Sequence, residues 1–111
     1  LFDFSVLARE LGMGVVVEAH DADEIDRAVA AGAQVIGINN RNLSTLTIDH
    51  GNAEKLRHHI PADKVALAES GVRTREDVAR MMLAKFDACL VGETLMSAPS
   101  PGAALRALRT T

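Results

Sequence analysis

Tryptophan and tyrosine are absent from these 111 residues, phenylalanine occurs three times, and there is one cysteine. A lone Cys89 excludes a disulfide framework, and its place in the apolar run Ala88-Cys89-Leu90-Val91 fits a buried, inert thiol. Without tryptophan the chain carries little fluorescence background of its own. Long apolar runs are missing too. The longest, such as Val15-Val16-Val17, are far too short to cross a bilayer, and no signal peptide is visible, so a cytoplasmic location is expected and a membrane partner is not. Positive charge is not in excess: the net charge of −3 lacks the electrostatic footprint of a nucleic-acid binder. The chain opens on Leu1 rather than Met, which fits either processing or a piece of something longer.

What is present is ordinary globular material, 48% hydrophobic and 24% charged, in a length that suits one small domain with a modest core. Four short β-like runs stand out: Gly14–Glu18 (GVVVE), Val35–Asn39 (VIGIN), Val65–Glu69 (VALAE) and Ala88–Gly92 (ACLVG). None alternates apolar with polar residues, the pattern of strands covered on both faces. Helical patterns lie between them. Asp21-Ala22-Asp23-Glu24 opens one with acidic residues, Ile25, Ala28 and Val29 form its stripe, and Gly32 is placed to end it. Asn52 to His59 forms another, stopped before Pro61. Thr74-Arg75-Glu76-Asp77 resembles a capping box, with Val78, Met81 and Met82 as the inner face behind it. Phe2 to Leu11 and Ala103 to Leu108 flank the whole. The resulting α-β-α-β-α-β-α-β-α order predicts a parallel sheet of (β/α) units with right-handed crossovers. Periodicity alone does not separate a four-stranded open sheet from half of an eight-stranded barrel.

Each strand ends on a polar residue or glycine: Glu18, Asn39, Glu69, and Gly92-Glu93. In parallel α/β folds ligands meet the carboxyl ends of strands, so these positions form one ring on one face. A carboxylate at the mouth of a buried strand is either a solvated cap or a desolvated, tuned acid or base. Ser70-Gly71 and Gly92-Glu93-Thr94 are candidate phosphate cradles, since glycine admits close backbone approach and the N–H groups opening a short helix favour an anion. Arg41 would add a bidentate cation from the neighbouring loop. Among the histidines, His58-His59 and His50 read as exposed or loop positions, and His20, though it follows Glu18 by two, has no partner spacing for a metal.

The strings VVVEAH, GINNRNL, AESGV and LVGETLM, in this order and spacing, closely resemble the indole-3-glycerol phosphate synthase family. The resemblance implies a TIM (β/α)8 barrel, with residues 1–111 as its second half (strands five to eight with flanking helices) and the first half absent. It implies a lyase of tryptophan biosynthesis. That family decarboxylates and cyclises 1-(2-carboxyphenylamino)-1-deoxyribulose 5-phosphate to indole-3-glycerol phosphate, without metal or organic cofactor. By motif, Glu18 is the catalytic glutamate acting in proton transfer. Asn39 helps hold the substrate, and Arg41 of the same motif lies near the phosphate end. Glu69 contacts substrate hydroxyls, Ser70 and Gly71 help bind substrate and phosphate, and Gly92 offers a backbone N–H to phosphate. Asn40 between the two motif residues reads as a turn residue.

Two departures stand beside this resemblance. Glu93 occupies a position where many members have serine, and its carboxylate would repel phosphate unless it points away and only its N–H contributes. The family's general-acid lysine and a further Glu and Lys pair belong to the first half, and Lys55, Lys64 and Lys85 all precede strands rather than follow them. The expectation is therefore a phosphorylated small-molecule substrate, with the missing N-terminal half or self-association as the partner and little or no turnover alone. The competing reading is a non-catalytic, self-associating phosphate-binding half-barrel. Another phosphate-binding barrel, such as an isomerase of histidine or tryptophan synthesis, would explain the glycine loops but not E-A-H followed by I-N-N-R.

Overall fold

The computed structural model describes residues 2–109. Its elements are α1 (Phe2–Glu10), β1 (Val16–Ala19), α2 (Ala22–Ala30), β2 (Val35–Asn39), α3 (Asn52–Leu56) with a 3₁₀ turn (Arg57–His59), β3 (Val65–Glu69), α4 (Arg75–Leu83), β4 (Ala88–Leu90), α5 (Glu93–Met96) and α6 (Pro101–Arg109). The four strands form one parallel sheet in the order β1-β2-β3-β4. Strand order equals chain order, as it must when each crossover helix packs on the same face, and this is the arrangement of half an eight-stranded (β/α) barrel.

The register divides the side chains cleanly. Val17 and Ala19 on β1, Ile36 and Ile38 on β2, and Ala66 and Ala68 on β3 face the helices and are buried. They meet Ile25 and Ala28 of α2, Ala53 and Leu56 of α3, and Met81 of α4 in one core. Alternate residues face the other side: Val16 and Glu18, then Val35, Gly37 and Asn39, then Val65, Leu67 and Glu69, then Ala88 and Leu90. That inner face is open, and Val16, Val65 and Leu90 are among the exposed large apolar residues. A radius of gyration of 14.6 Å, against ~13 Å for a compact chain of similar length, fits such a half-shell.

Local chemistry sets the boundaries. Asp21 caps α2 by accepting from Glu24 N, and Gly32, with φ +83°, turns the chain out of it. Thr74 and Asp77 form the predicted capping box at α4. β2 and β3 match their expected bounds, whereas β1 starts two residues later and ends one later, because pairing begins only at Val16 opposite Val35 and continues to Ala19 opposite Ile38. β4 stops at Leu90, opposite the end of β3 at Glu69. The helix expected over 52–59 tightens into a 3₁₀ turn, since Ile60 before Pro61 must be extended (φ −88°, ψ 122°). α6 begins earlier than expected because Pro101 is suited to a first helical position. Met82 does not share the inner face of α4. It lies about 100° around the helix from buried Met81 and is exposed. Cys89 is half-buried rather than fully buried, and its burial pushes the thiol pKa up, as an inert thiol requires.

Candidate active site

Asn39 is the hub of the strand ends. Its Nδ2 donates to Glu18 Oε1 at 3.1 Å, and its Oδ1 accepts from Ser70 Oγ at 2.8 Å and from the backbone N–H of Arg41 at 2.8 Å. One buried amide thus joins the mouths of β1, β2 and β3, and the three bonds permit only one orientation of its side chain. Ser70 can reach it because Ser70 and Gly71 both adopt left-handed backbone (φ 68° and 83°), folding the chain back at the end of β3. For serine that conformation costs about 1–2 kcal/mol, and it is held where the polar cluster needs it.

The two carboxylates differ in setting. Glu18 is exposed on the open face, and β1 continues one residue beyond it to Ala19. Glu69 is buried, only 6% exposed, with its side chain folded down over Gly37. A Cβ built on Gly37 would overlap Glu69 Oε2 and lie 2.9 Å from its Cδ, so the absent side chain creates the hollow that the carboxyl group fills. Oε2 receives no hydrogen bond from a neutral or cationic donor there. Burial, then a hydrogen bond with Glu18 and the charge of Glu18, raises the Glu69 pKa from 4.5 to about 7. A carboxyl group that titrates near neutrality meets the condition for moving a proton to or from a bound molecule.

Beside this cluster is a cavity of about 350 Å³, lined by Arg41, Ser70, Gly71, Arg73, Gly92, Glu93 and Thr94 among others. Arg41 is held over it by a closed loop. Asn42 N donates to Thr47 O, Asn42 Oδ1 accepts from Ser44 and Thr45 N–H groups, and Arg41 bridges to Ile48. Thr94 Oγ1 donates to Val72 O at 2.7 Å, tying the loops after β3 and β4 into one wall. Nothing stands within 4 Å of a Cβ built on Gly92, which leaves its backbone open to a ligand. The Glu93 carboxylate does not point away. Its Oε2 accepts from Arg41 Nη2 at 3.0 Å. α5 is a single turn and brings little helix dipole, so the positive charge at this cavity is that of Arg41 and Arg73.

Sequence reasoning missed several supporting residues. Asn40, read as a turn residue, is buried and braces the site. Its N–H donates to Glu69 O, its Nδ2 donates to Ser70 O, and its Oδ1 accepts from Ala53 N. Asn52 Nδ2 donates to both His20 O and Asn39 O, pinning α3 under the strand ends. Gly37 carried a readable signal, since an isolated glycine within a buried strand marks close approach. Arg73, directly after the Ser-Gly-Val turn, lines the cavity. The histidines stay out of the cluster: His58 and His59 stack on each other, and His50 packs against Gly71 from outside.

A model of the indole-3-glycerol phosphate synthase family matches residues 3–108. The chain belongs to that family. It is 45% identical over 109 residues to the synthase of Leuconostoc mesenteroides and 52% identical over 101 residues to that of Paenarthrobacter aurescens. These alignments cover 98% and 91% of the chain but 42% and 37% of the relatives, so the chain spans about two fifths of the synthases it matches. Among solved structures, the Amycolatopsis orientalis BexX/CysO complex superposes with a TM-score of 0.72 at 22% identity, over 97% of this chain and 45% of that one. A native KDPGal structure gives 0.66 at 25% identity, over 91% and 47%. The first of these likenesses speaks to fold alone. The family is one of lyases in tryptophan biosynthesis, and no helix among the described residues is long and apolar enough to cross a membrane.

Proposed function

We propose that residues 1–111 form the C-terminal half of an indole-3-glycerol phosphate synthase barrel, strands five to eight, and supply one side of its active site. The observation that carries this reading is the Asn39 hub, which sets Glu18, Ser70 and the Glu69 carboxyl group on one rim beside an arginine-lined cavity. The substrate is 1-(2-carboxyphenylamino)-1-deoxyribulose 5-phosphate, with its phosphate in the cavity between Arg41, Gly71 and Gly92 and the backbone N–H of Glu93. Ring closure joins an aromatic carbon to the ketose carbonyl carbon, releases the carboxyl group as carbon dioxide, and later expels the former carbonyl oxygen as water. Glu18 moves protons in closure and dehydration, Asn39 holds the substrate and orients Glu18, and Glu69 and Ser70 contact substrate hydroxyls.

A rim cation that could protonate the carbonyl oxygen is not among these residues. Lys55 lies on α3, and Lys64 and Lys85 precede β3 and β4, at the opposite end of the sheet. A first half is the partner that would supply it. Loss of a general acid costs a factor of about 10² to 10⁴, so the 111-residue chain alone turns over little or no substrate.

The test is product formation followed by indole fluorescence, with the chain alone and with a separately made first half from a related synthase. Turnover only in the mixture is the expected result. Turnover by the chain alone would refute the assignment of the acid to the other half. Failure of both would favour a second reading, a non-catalytic half-barrel that pairs with itself. The exposure of Val16, Val65 and Leu90 on the open face favours that reading, and a monomer at high concentration would count against it.

A further inference from the structure

The cavity contains two arginines in different states. Arg41 is engaged by Glu93 at 3.0 Å across the opening, with the Arg41 side chain 30% exposed and the Glu93 side chain 75% exposed. Arg73 lines the same cavity, and among the described residues its guanidinium has neither an ion pair nor a hydrogen bond. Only its backbone N–H is used, donating to Asp77 Oδ2 at 2.9 Å as part of the α4 cap. One cation in the cavity is therefore occupied by an internal carboxylate and the other is unoccupied. An incoming phosphate would bring up to two negative charges close to Glu93, and the Arg41 Nη2 that Glu93 engages is a donor that a bidentate phosphate contact would use.

We propose that Arg73 is a phosphate-binding residue of this chain, and that Glu93 competes with phosphate for Arg41 and so sets the affinity of the site. This deepens the proposed function and rests on its reading of the cavity as the phosphate end. Phosphate first meets Arg73 and the loop amides at Gly71 and Gly92. Arg41 then exchanges Glu93 for the phosphate, and the released carboxylate, already mostly exposed, turns to water at little cost. The Arg41–Glu93 pair acts as a brake on binding and, when the site is empty, keeps Arg41 over the cavity.

The test uses the 111-residue chain, inorganic phosphate as the probe, and chloride at matched ionic strength as the blank, read by backbone amide chemical shifts. Glu93→Gln keeps the shape of the side chain and removes its charge. It should tighten phosphate binding by about two- to five-fold, the range that one exposed ion pair carries. Arg73→Met should weaken binding about five-fold or more and flatten its salt dependence, with Arg73→Lys restoring part of both. Both positions are at the surface, and unchanged far-ultraviolet circular dichroism shows that the variants fold. Phosphate shifts at Gly71 and Gly92 that persist unaltered in Arg73→Met and Glu93→Gln would overturn the inference while leaving the phosphate site intact. Weaker binding in Glu93→Gln would overturn the brake and make the pair an organising contact instead. No phosphate-dependent shift in the parent chain or in Glu93→Gln would overturn both the inference and the reading of the cavity.

Discussion

Placing a methyl group on Gly37 is the most direct probe of the buried carboxyl group. In Gly37→Ala the new Cβ takes the space of Glu69 Oε2, but its other near neighbour, Val16 Cγ1, lies at an ordinary 3.4 Å. The obstruction is thus the far end of a flexible side chain, which can swing to the strand mouth while the backbone stays in place. Holding Glu69 in the hollow raises its pKa from 4.5 to about 7, so its ionisation in the folded chain costs roughly 3 kcal/mol. A carboxyl group raised in this way contributes stability that is fully present below pH ~4.5 and is lost as pH rises through about 7. Expelling it should remove most of that loss. Alanine in place of glycine also restricts the unfolded chain, worth about 0.4–1 kcal/mol at every pH. The variant should therefore gain under 1 kcal/mol near pH 4.5 and roughly 2–4 kcal/mol at pH 8. Urea unfolding followed by circular dichroism at both pH values measures this, and the difference between the two gains cancels groups unaffected by the change. An equal gain or an equal loss at both pH values would refute the argument that Gly37 houses a protonated Glu69.

Asn39→Ala removes one donor and two acceptor contacts from a buried hub, and should cost about 1–3 kcal/mol in the same unfolding measurement, with amide shifts at Glu18, Ser70 and Arg41 moving together. Asn40→Ala should cost a similar amount, where a plain turn residue would cost almost nothing. Burial opposes ionisation of Asp77, but hydrogen bonds from the Arg73 and Thr74 N–H groups and the Thr74 hydroxyl, with the charge of His50, outweigh it and lower the pKa below 3.8. Its stabilising effect is present above pH ~3.8 and disappears as pH falls through the lower folded value, so Asp77→Asn should cost about 1 kcal/mol at pH 7 and progressively less in acid. In the mixture with a first half, Glu18→Gln should lower turnover by about 10²-fold or more without abolishing assembly, measured by indole fluorescence and by size.

Strand positions were readable because apolar runs bounded by glycine and polar residues leave few choices. β2 and β3 followed the runs closely, and the capping box opening at Thr74 announced α4, whose first residue is Arg75. The ends of β1 and β4 were less legible because each pairs on one side only, so the neighbour's register decides where pairing starts and stops. The rim residues Glu18, Asn39 and Glu69 could be read from their position after apolar strands. What Asn40, Asn52 and Gly37 do could not, because each acts on a residue distant in sequence: Asn40 on Ser70 and Ala53, Asn52 on His20, Gly37 on Glu69. The Arg41–Glu93 pair spans 52 positions and depends on two loops meeting. Such contacts follow from the folded topology and leave no local pattern.

The helix-facing side of the sheet buries Ile25, Ile36 and Ile38 completely, while the opposite side carries Glu18, Asn39 and Glu69 and is left open. Cohesion and chemistry are therefore written on alternating residues of the same strands. A substitution at Glu18 or Leu90, both at strand ends on the open face, can alter what the rim recognises without touching the packing on the helix side. A fold divided in this way can acquire new substrates by small steps, each tolerated by a core that does not register the change.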